Sequence, residues 1–176
     1  MHTIAVDPDF RASVLANPSV QRVATALSDA GISTEIIVHE VATPTSQSAA
    51  EVLGCDVAQI AKSVIFRAKQ TGEAVLVIAS GANRVDEKKV KALVGQGIGK
   101  ADADFVKEKT GFSIGGVAPL GHLIAPITLF DEDLLRFAVI YPAAGHPNTG
   151  FPIAPQALAK AARAQVASIK EERLAA

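Results

Sequence analysis

Cysteine is almost absent from this chain. Cys55 is the single one in 176 residues, which excludes an intrachain disulfide and a multi-cysteine metal site and fits a reducing compartment. Charge of one sign is lacking too: 17 Lys and Arg stand against 18 Asp and Glu, for a net charge of −1. There is no global basic signature of nucleic-acid binding, so any such contact must come from a local patch, and DNA is not an expected partner. No apolar run is long enough to cross a bilayer. The N-terminus, Met-His-Thr-Ile-Ala-Val-Asp-Pro-Asp, lacks the basic and apolar regions of a signal peptide. The expectation is a cytoplasmic protein with no membrane partner.

Several catalytic signatures are missing as well. The sequence holds no His-x-x-x-His, no paired-carboxylate cluster and no Cys-x-x-Cys, which argues against a zinc hydrolase. Gly111-Phe-Ser-Ile-Gly115 has Gly-x-Ser-x-Gly spacing, but it follows a predicted helix instead of a strand and runs into an irregular loop. It therefore lacks the strand–turn–helix context of a nucleophile elbow, which argues against a serine hydrolase of that fold. Neither Gly-x-Gly-x-x-Gly nor Gly-Lys-Ser/Thr is present, so dinucleotide and P-loop readings are unsupported. There is no low-complexity stretch, obvious linker or internal repeat.

What is present is a core-forming composition, 49% hydrophobic, ample for one globular domain. Residues 1–17 carry weak periodicity and read as an extension or short helix, with the domain proper spanning 18–176. From Pro18, Val20, Val23, Ala24, Leu27 and Ala30 recur at helical spacing, with Gly31 placed as a C-cap. Glu35–Val41 predicts a strand. Ser48 and Glu51 have capping-box spacing for a second helix interrupted at Gly54, and Asp56 can cap a further turn. Lys62-Ser63 leads from that turn into the strand Val64-Ile65-Phe66. A hairpin turn through Gly72 follows, and Ala74–Ala79 reads as a central strand buried on both faces. Asp86 can cap a helix ended by Gly95, with Lys88, Lys89 and Lys91 on its outer face. Asp104–Thr110 reads as a short helix, Ile124–Phe130 and Phe137–Tyr141 as strands, and Pro155 opens a closing helix. Hairpin-linked strands with interspersed helices predict an α+β fold with a mixed, curled, barrel-like sheet.

Two irregular loops carry the candidate chemistry. Gly111–His122 (Gly-Phe-Ser-Ile-Gly-Gly-Val-Ala-Pro-Leu-Gly-His) is stiff and bare, suited to contact through backbone amides and carbonyls. Pro142–Gly150 (Pro-Ala-Ala-Gly-His-Pro-Asn-Thr-Gly) places His146 beside Gly145, Pro147 and Asn148 in an irregular loop, and loops carry sites more often than cores do. Lys62, entering a strongly apolar strand, is either a snorkelling surface residue or one held at a pocket mouth. His122 could shape the same pocket as the glycine loop, whereas His2 and His39 have no comparable context.

The order Ala-Lys62-Ser-Val-Ile-Phe, then Thr-Gly-Phe-Ser-Ile-Gly115-Gly116-Val-Ala-Pro119-Leu-Gly, then Gly145-His146-Pro-Asn resembles the YbaK/EbsC family. These proteins are free-standing relatives of the editing domain inserted in bacterial prolyl-tRNA synthetases. The similarity runs from about Val20 to Ala162, and the Gly-Gly-x-x-Pro-x-Gly element after Thr-Gly-Phe is its most specific part. It implies trans-editing, the hydrolysis of the ester that joins a wrong amino acid to the terminal adenosine of a tRNA.

Carried over by position, the resemblance makes Lys62, Gly115 and His146 the catalytic set. Lys62 matches the family's pocket lysine, Gly115 the first glycine of the Gly-x-x-x-Pro loop closed by Pro119, and His146 a later-loop histidine of several members. Thr43, Thr45, Ser63, Val64, Ile114, Gly116, Pro119, Gly145 and Asn148 are the substrate-binding candidates. Lys88, Lys89 and Lys91 are the candidate tRNA-binding patch. The family implies no metal or cofactor, with catalysis resting on backbone groups and the substrate's own ribose hydroxyl. Ser63 follows the lysine where alanine-clearing members typically carry asparagine, while the loop is closer to broad or small-residue-clearing members. The expected partner is aminoacyl-tRNA, a small amino acid on tRNA(Pro) or a related tRNA, with a synthetase as a possible second partner. The alternatives are a catalytically silent tRNA- or synthetase-binding module and a small-molecule hydrolase on the same scaffold.

Overall fold

The structure, a computed structural model, describes residues 6–172. His2, the start of the 1–17 extension and the last four residues of the 18–176 unit lie outside the described residues. Two helices open the chain, α1 (Pro8–Leu15) and α2 (Pro18–Asp29), each started by a side-chain cap, Asp7 and Asn17, with a proline at the first turn. Val14 of α1 is buried with Val20 of α2 and Val38, so α1 packs onto the domain. The predicted helix from Pro18 is there, ending at a C-cap on Ala30 just ahead of Gly31.

The predicted strand 35–41 shrinks to β1 (Ile37–Val38), paired antiparallel with β7 (Thr149–Gly150) in a small sheet of its own. Helix α3 (Ser46–Leu53) is started by Thr45 rather than Ser48. Thr45 and Ser48 form the capping box, so the true phase lies three residues earlier than the Ser48–Glu51 spacing predicts. Asp56 caps the short 3₁₀ turn Val57–Gln59, as expected.

The main sheet is built on β2 (Ile60–Ala68) and β3 (Ala74–Ser80), an antiparallel pair joined at Gly72. Every residue of β3 is buried, which agrees with its unbroken apolar run. Helix α4 (Glu87–Val94) is capped by Asp86 and closed by Gly95. Then follow β4 (Ile98–Lys100), α5 (Ala103–Thr110), β5 (Ile127–Asp131), a 3₁₀ turn Glu132–Arg136, β6 (Tyr141–Pro142), β7, α6 (Pro155–Ala161) and β8 (Gln165–Ala167). The predicted strand 137–141 is reduced to the end that pairs with β2, and β4 and β8 are strands the sequence did not announce.

The strand order is β4-β2-β3-β5-β8, with β5 parallel to β3, β8 parallel to β5, and β6 also against β2. This mixed sheet is open, with β4 and β8 at its ends, so the fold is α+β as expected but the sheet does not close into a barrel. Alternation along β3 splits the core in two. Leu76 and Ile78 face a cluster with Val23, Leu27, Phe112, Phe130, Phe151 and Leu158, whereas Val75, Val77 and Ala79 face Val90, Leu129 and Ile169.

Candidate active site

Strand β2 is paired with β3 along one side and interrupted on the other. β3 follows it from Ala61 to Arg67, but the opposite edge is shared by β6 at Ile60–Ala61 and β4 at Phe66–Ala68. Between them the edge lacks a partner strand. The Gly81 amide donates to the Ile60 carbonyl and the Ala68 amide to the Glu73 carbonyl, so even-numbered residues bond to β3. The backbone groups of Ser63 and Ile65 therefore point toward the gap.

A cavity of about 380 Å³ opens at this gap. Its walls are Ala61, Val64, Ile65, Leu53, Val106 and Val117, its rim Thr43, Thr45, Tyr141 and the exposed Ile114, with Gly115 beside it. Gly115 has φ +96°, and no atom lies within 4 Å of where a Cβ would project, so the loop there is bare and left-handed. Gly116 is the opposite case: a Cβ on it would come 3.1 Å from the His146 backbone, which locks the glycine loop against the 145–147 segment.

Among the polar groups around the cavity, most are already committed. The Thr45 hydroxyl caps α3, the Thr43 hydroxyl donates to the Pro147 carbonyl, and the Thr149 hydroxyl donates to the His146 carbonyl. The Ser63 hydroxyl is buried without a partner, an unmet hydrogen bond at the cavity wall. Lys62 lies within β2, not at a helix-to-strand junction, and also lines the cavity. Its Nζ donates to the Asn83 carbonyl, and Asn83 in turn donates to the carboxylates of Asp131 and Asp133. Burial pushes the Lys62 ammonium down from its ordinary pKa, and the Asp131 charge opposes that shift.

The structure thus brings Lys62, Ser63, Val64, Ile114, Gly115, Thr43 and Thr45 together around one cavity. It puts Gly116, Gly145 and His146 on the other side of the glycine loop, in a second cavity of about 460 Å³ lined also by Asn17, Ser19, Arg22, Lys107 and Ser113. His146 Nδ1 accepts from the Asn148 amide, which leaves Nε2 to carry the proton of the neutral ring. Burial, followed by the neighbouring His39, lowers the His146 pKa. Asn148 is buried and its amide donates to the carbonyls of His39 and Glu40, so it ties β1 to the 145–150 segment. Pro119 is buried between the core residues Ala118 and Leu120.

The lysines of α4 divide. Lys88 and Lys91 are exposed, but Lys89 donates to Ser168, to the Lys170 carbonyl and to Glu172 at 2.7–3.1 Å. It clamps the C-terminal segment rather than facing solvent freely. Arg22 and Lys107, by contrast, were not anticipated. Each reads in the sequence as a solvated helix residue, and only the packing of α2 and α5 around Gly111 brings them together. Among the described residues, no three His, Cys, Asp or Glu side chains form a group able to hold a metal ion.

Known proteins resemble this chain over most of its length. The model of the family described as the aminoacyl-tRNA editing domain matches residues 40–161. The uncharacterized protein YwhH of Bacillus subtilis (strain 168) is 32% identical over 126 residues, 72% of this chain and 80% of its own length. A solved structure of a candidate trans-editing enzyme for prolyl tRNA synthetase superposes with a TM-score of 0.83 at 38% identity, covering 89% of this chain and 99% of that one. The hypothetical protein APE2540 superposes with a TM-score of 0.79 at 27% identity, covering 85% and 99%.

Proposed function

Since this chain belongs to the aminoacyl-tRNA editing domain family, of the YbaK type, we propose that it is a trans-acting deacylase that hydrolyses the ester of mischarged aminoacyl-tRNA. The observation that carries this reading is the unpaired edge of β2 facing a bare glycine across a small cavity. An ester carbonyl needs hydrogen-bond donors where negative charge develops, and exposed strand amides are rigid donors held in place by the sheet. The backbone groups of Ser63 and Ile65 and the left-handed Gly115 supply such a cradle without a side-chain nucleophile. Water attacks the acyl carbon, the acyl–oxygen bond breaks, and the ribose oxygen leaves with a proton, releasing the free amino acid. Lys62 acts as a fixed cation toward the ribose or terminal phosphate rather than as a base.

The cavity is at the small end of the range for ligand sites, roughly 300–1,000 Å³, which favours a small aminoacyl group. Its walls are apolar, and the unpartnered Ser63 hydroxyl offers one hydrogen bond, so residues such as Ala, Ser, Thr, Cys or Pro are the candidate acyl groups. Size selection by such a wall is worth only about 1–3 kcal/mol per methylene, so a broad preference among them is expected. The test is a panel of tRNAs charged with these five amino acids, scored for ester loss over the uncatalysed rate. Loss from at least one supports the reading; RNA binding with no ester loss from any would make the chain a silent binding module instead.

A further inference from the structure

The second cavity has a composition that its neighbour does not share. Arg22, Lys107 and His146 line it together with Ser19, Ser113 and Asn17, and no carboxylate does. In a chain of net charge −1, that concentration of donors is notable for where it occurs: directly behind the glycine loop, with Pro147 lining both cavities.

The donors converge on one point. Lys107 Nζ and the Ser19 hydroxyl both donate to the Gly111 carbonyl, at 3.1 and 3.4 Å. The guanidinium of Arg22 packs so closely over Gly111 that a Cβ there would clash with it. Arg22 Nε donates to the Gly121 carbonyl, its guanidinium stacks 5.0 Å from the Phe112 ring centre, and its Nη2 is buried without a partner. Neither Arg22 nor Lys107 forms an ion pair with a carboxylate among the described residues. Two cations held in place by carbonyls and a ring face, with nothing negative opposite, make a site short of an anion. The N-terminus of α2 adds little, because Pro18 has no N–H and the Ser19 amide is already taken by Asn17; the side chains carry the charge.

We propose that this cavity binds a backbone phosphate of the RNA strand whose aminoacylated 3′ end occupies the neighbouring cavity. The proposal rests on the deacylase reading for the identity of the strand. One glycine-rich segment then divides the substrate: the acyl ester lies on the Gly115 side, and a phosphodiester on the Ser113–Gly116 side is held by Arg22 and Lys107. An inorganic or small-molecule phosphate would satisfy the same donors, so the experiment separates the two sources.

The probe is an uncharged single-stranded RNA ending in CCA, followed by fluorescence anisotropy across a salt series, with ester loss from aminoacyl-tRNA measured in parallel. Replacing Arg22 and Lys107 together with glutamine should weaken RNA binding about 10-fold or more. It should also flatten the log–log salt slope by about 0.7, the contribution of one single-strand phosphate contact. For ester loss it should raise KM more than it lowers kcat. Lys107→Gln alone, at an exposed position, guards against misfolding of the double variant and should give about half the slope change, while Arg22→Lys should retain most of the binding. Aminoacyl-adenosine, which has no phosphate, should be hydrolysed equally by parent and variants. Unchanged affinity and slope in Lys107→Gln and in a double variant with normal melting would overturn the proposal while leaving the deacylase reading intact. Competition by inorganic phosphate at micromolar concentration, with no RNA dependence on either residue, would also overturn it. Arg22- and Lys107-dependent RNA binding without any ester loss would support the phosphate site and remove the deacylase reading.

Discussion

The two sides of the 111–122 loop use different physics. On the Gly115 side the cavity is walled by Ala61, Val64, Ile65, Leu53, Val106 and Val117, and its distinctive polar features are strand backbone and one unpartnered hydroxyl. On the Ser113–Gly116 side the lining is Arg22, Lys107, His146, Ser19 and Asn17. The first can select by shape and hold a developing oxyanion; the second can hold a charge that is already there. The α4 lysines show that charge alone does not make a binding face. Lys89 is cationic, but its donors are spent on Ser168, Lys170 and Glu172. What distinguishes Arg22 and Lys107 is that they line one cavity together with no carboxylate among its walls, which a count of basic residues does not reveal.

The sharpest break on the Gly115 side is Lys62→Ala. It should lower kcat/KM about 10²-fold or more, the range seen when a transition-state donor is removed, with little change in melting. Steady-state deacylation with calorimetry checks both, and near-normal activity in a folded variant would take Lys62 out of the site. Next is Gly115→Ala. Because φ is +96°, a Cβ there costs about 1–2 kcal/mol and intrudes on open space, so turnover should fall about 10-fold. Cys55→Ala, whose thiol burial and the Asp56 charge hold above its ordinary pKa, is the control and should stay within about 0.5 kcal/mol of the parent. Thiol reagents that stop the reaction would argue against this contrast.

Ser63→Ala sharpens the comparison differently. Since the hydroxyl has no partner in the folded chain, its removal should raise stability by up to about 1 kcal/mol while slowing the preferred substrate several-fold. Loss of both stability and activity would mean that Ser63 is structural. Lys89→Gln should do the reverse, costing about 1 kcal/mol of stability with KM unchanged. Lys88→Gln and Lys91→Gln should alter stability by no more than about 0.5 kcal/mol.

The smallest effect concerns pH. His122 Nε2 bonds the Ala118 carbonyl, its Nδ1 is buried and unpartnered, and burial, aided by the nearby Arg22 charge, lowers its pKa. His39 is lowered by burial in the same way, with Nε2 unpartnered. A histidine depressed in the folded state takes up a proton more readily when unfolded, so stability should fall as pH drops below about 6.5, the unperturbed value. Melting curves between pH 7.5 and 5.5 read this, and His122→Asn should flatten the dependence. A melting temperature that rises toward pH 5.5 would contradict it.

Long periodic elements were legible in the sequence: α2 from its valine and leucine spacing, β3 from its apolar run, α4 from Asp86 and Gly95. Short strands were not. β1, β4, β6 and β8 are two or three residues long, too short for alternation to register, and their existence depends on partners distant in the chain. The capping box lies out of phase with the sequence pattern because Ser48–Glu51 fits Ser/Thr-x-x-Glu/Gln, whereas the box that forms, Thr45–Ser48, carries serine at its fourth position. The motifs brought Lys62, Ser63 and Gly115 into view, but the feature that joins them, the gap between β6 and β4 on one edge of β2, is a product of topology. Arg22 and Lys107 were invisible for the same reason: they belong to separate helices that the fold brings together beside Gly111.

The gap in the β2 edge and the glycine facing it are proposed to form an ester-hydrolysing site. The most direct test follows ester loss from tRNAs charged with Ala, Ser, Thr, Cys and Pro, with parent and Lys62→Ala protein side by side. Accelerated loss from at least one small aminoacyl group is expected, with its collapse to near the uncatalysed rate in the variant. All five esters surviving at the uncatalysed rate, with a folded parent that still binds RNA, would contradict it.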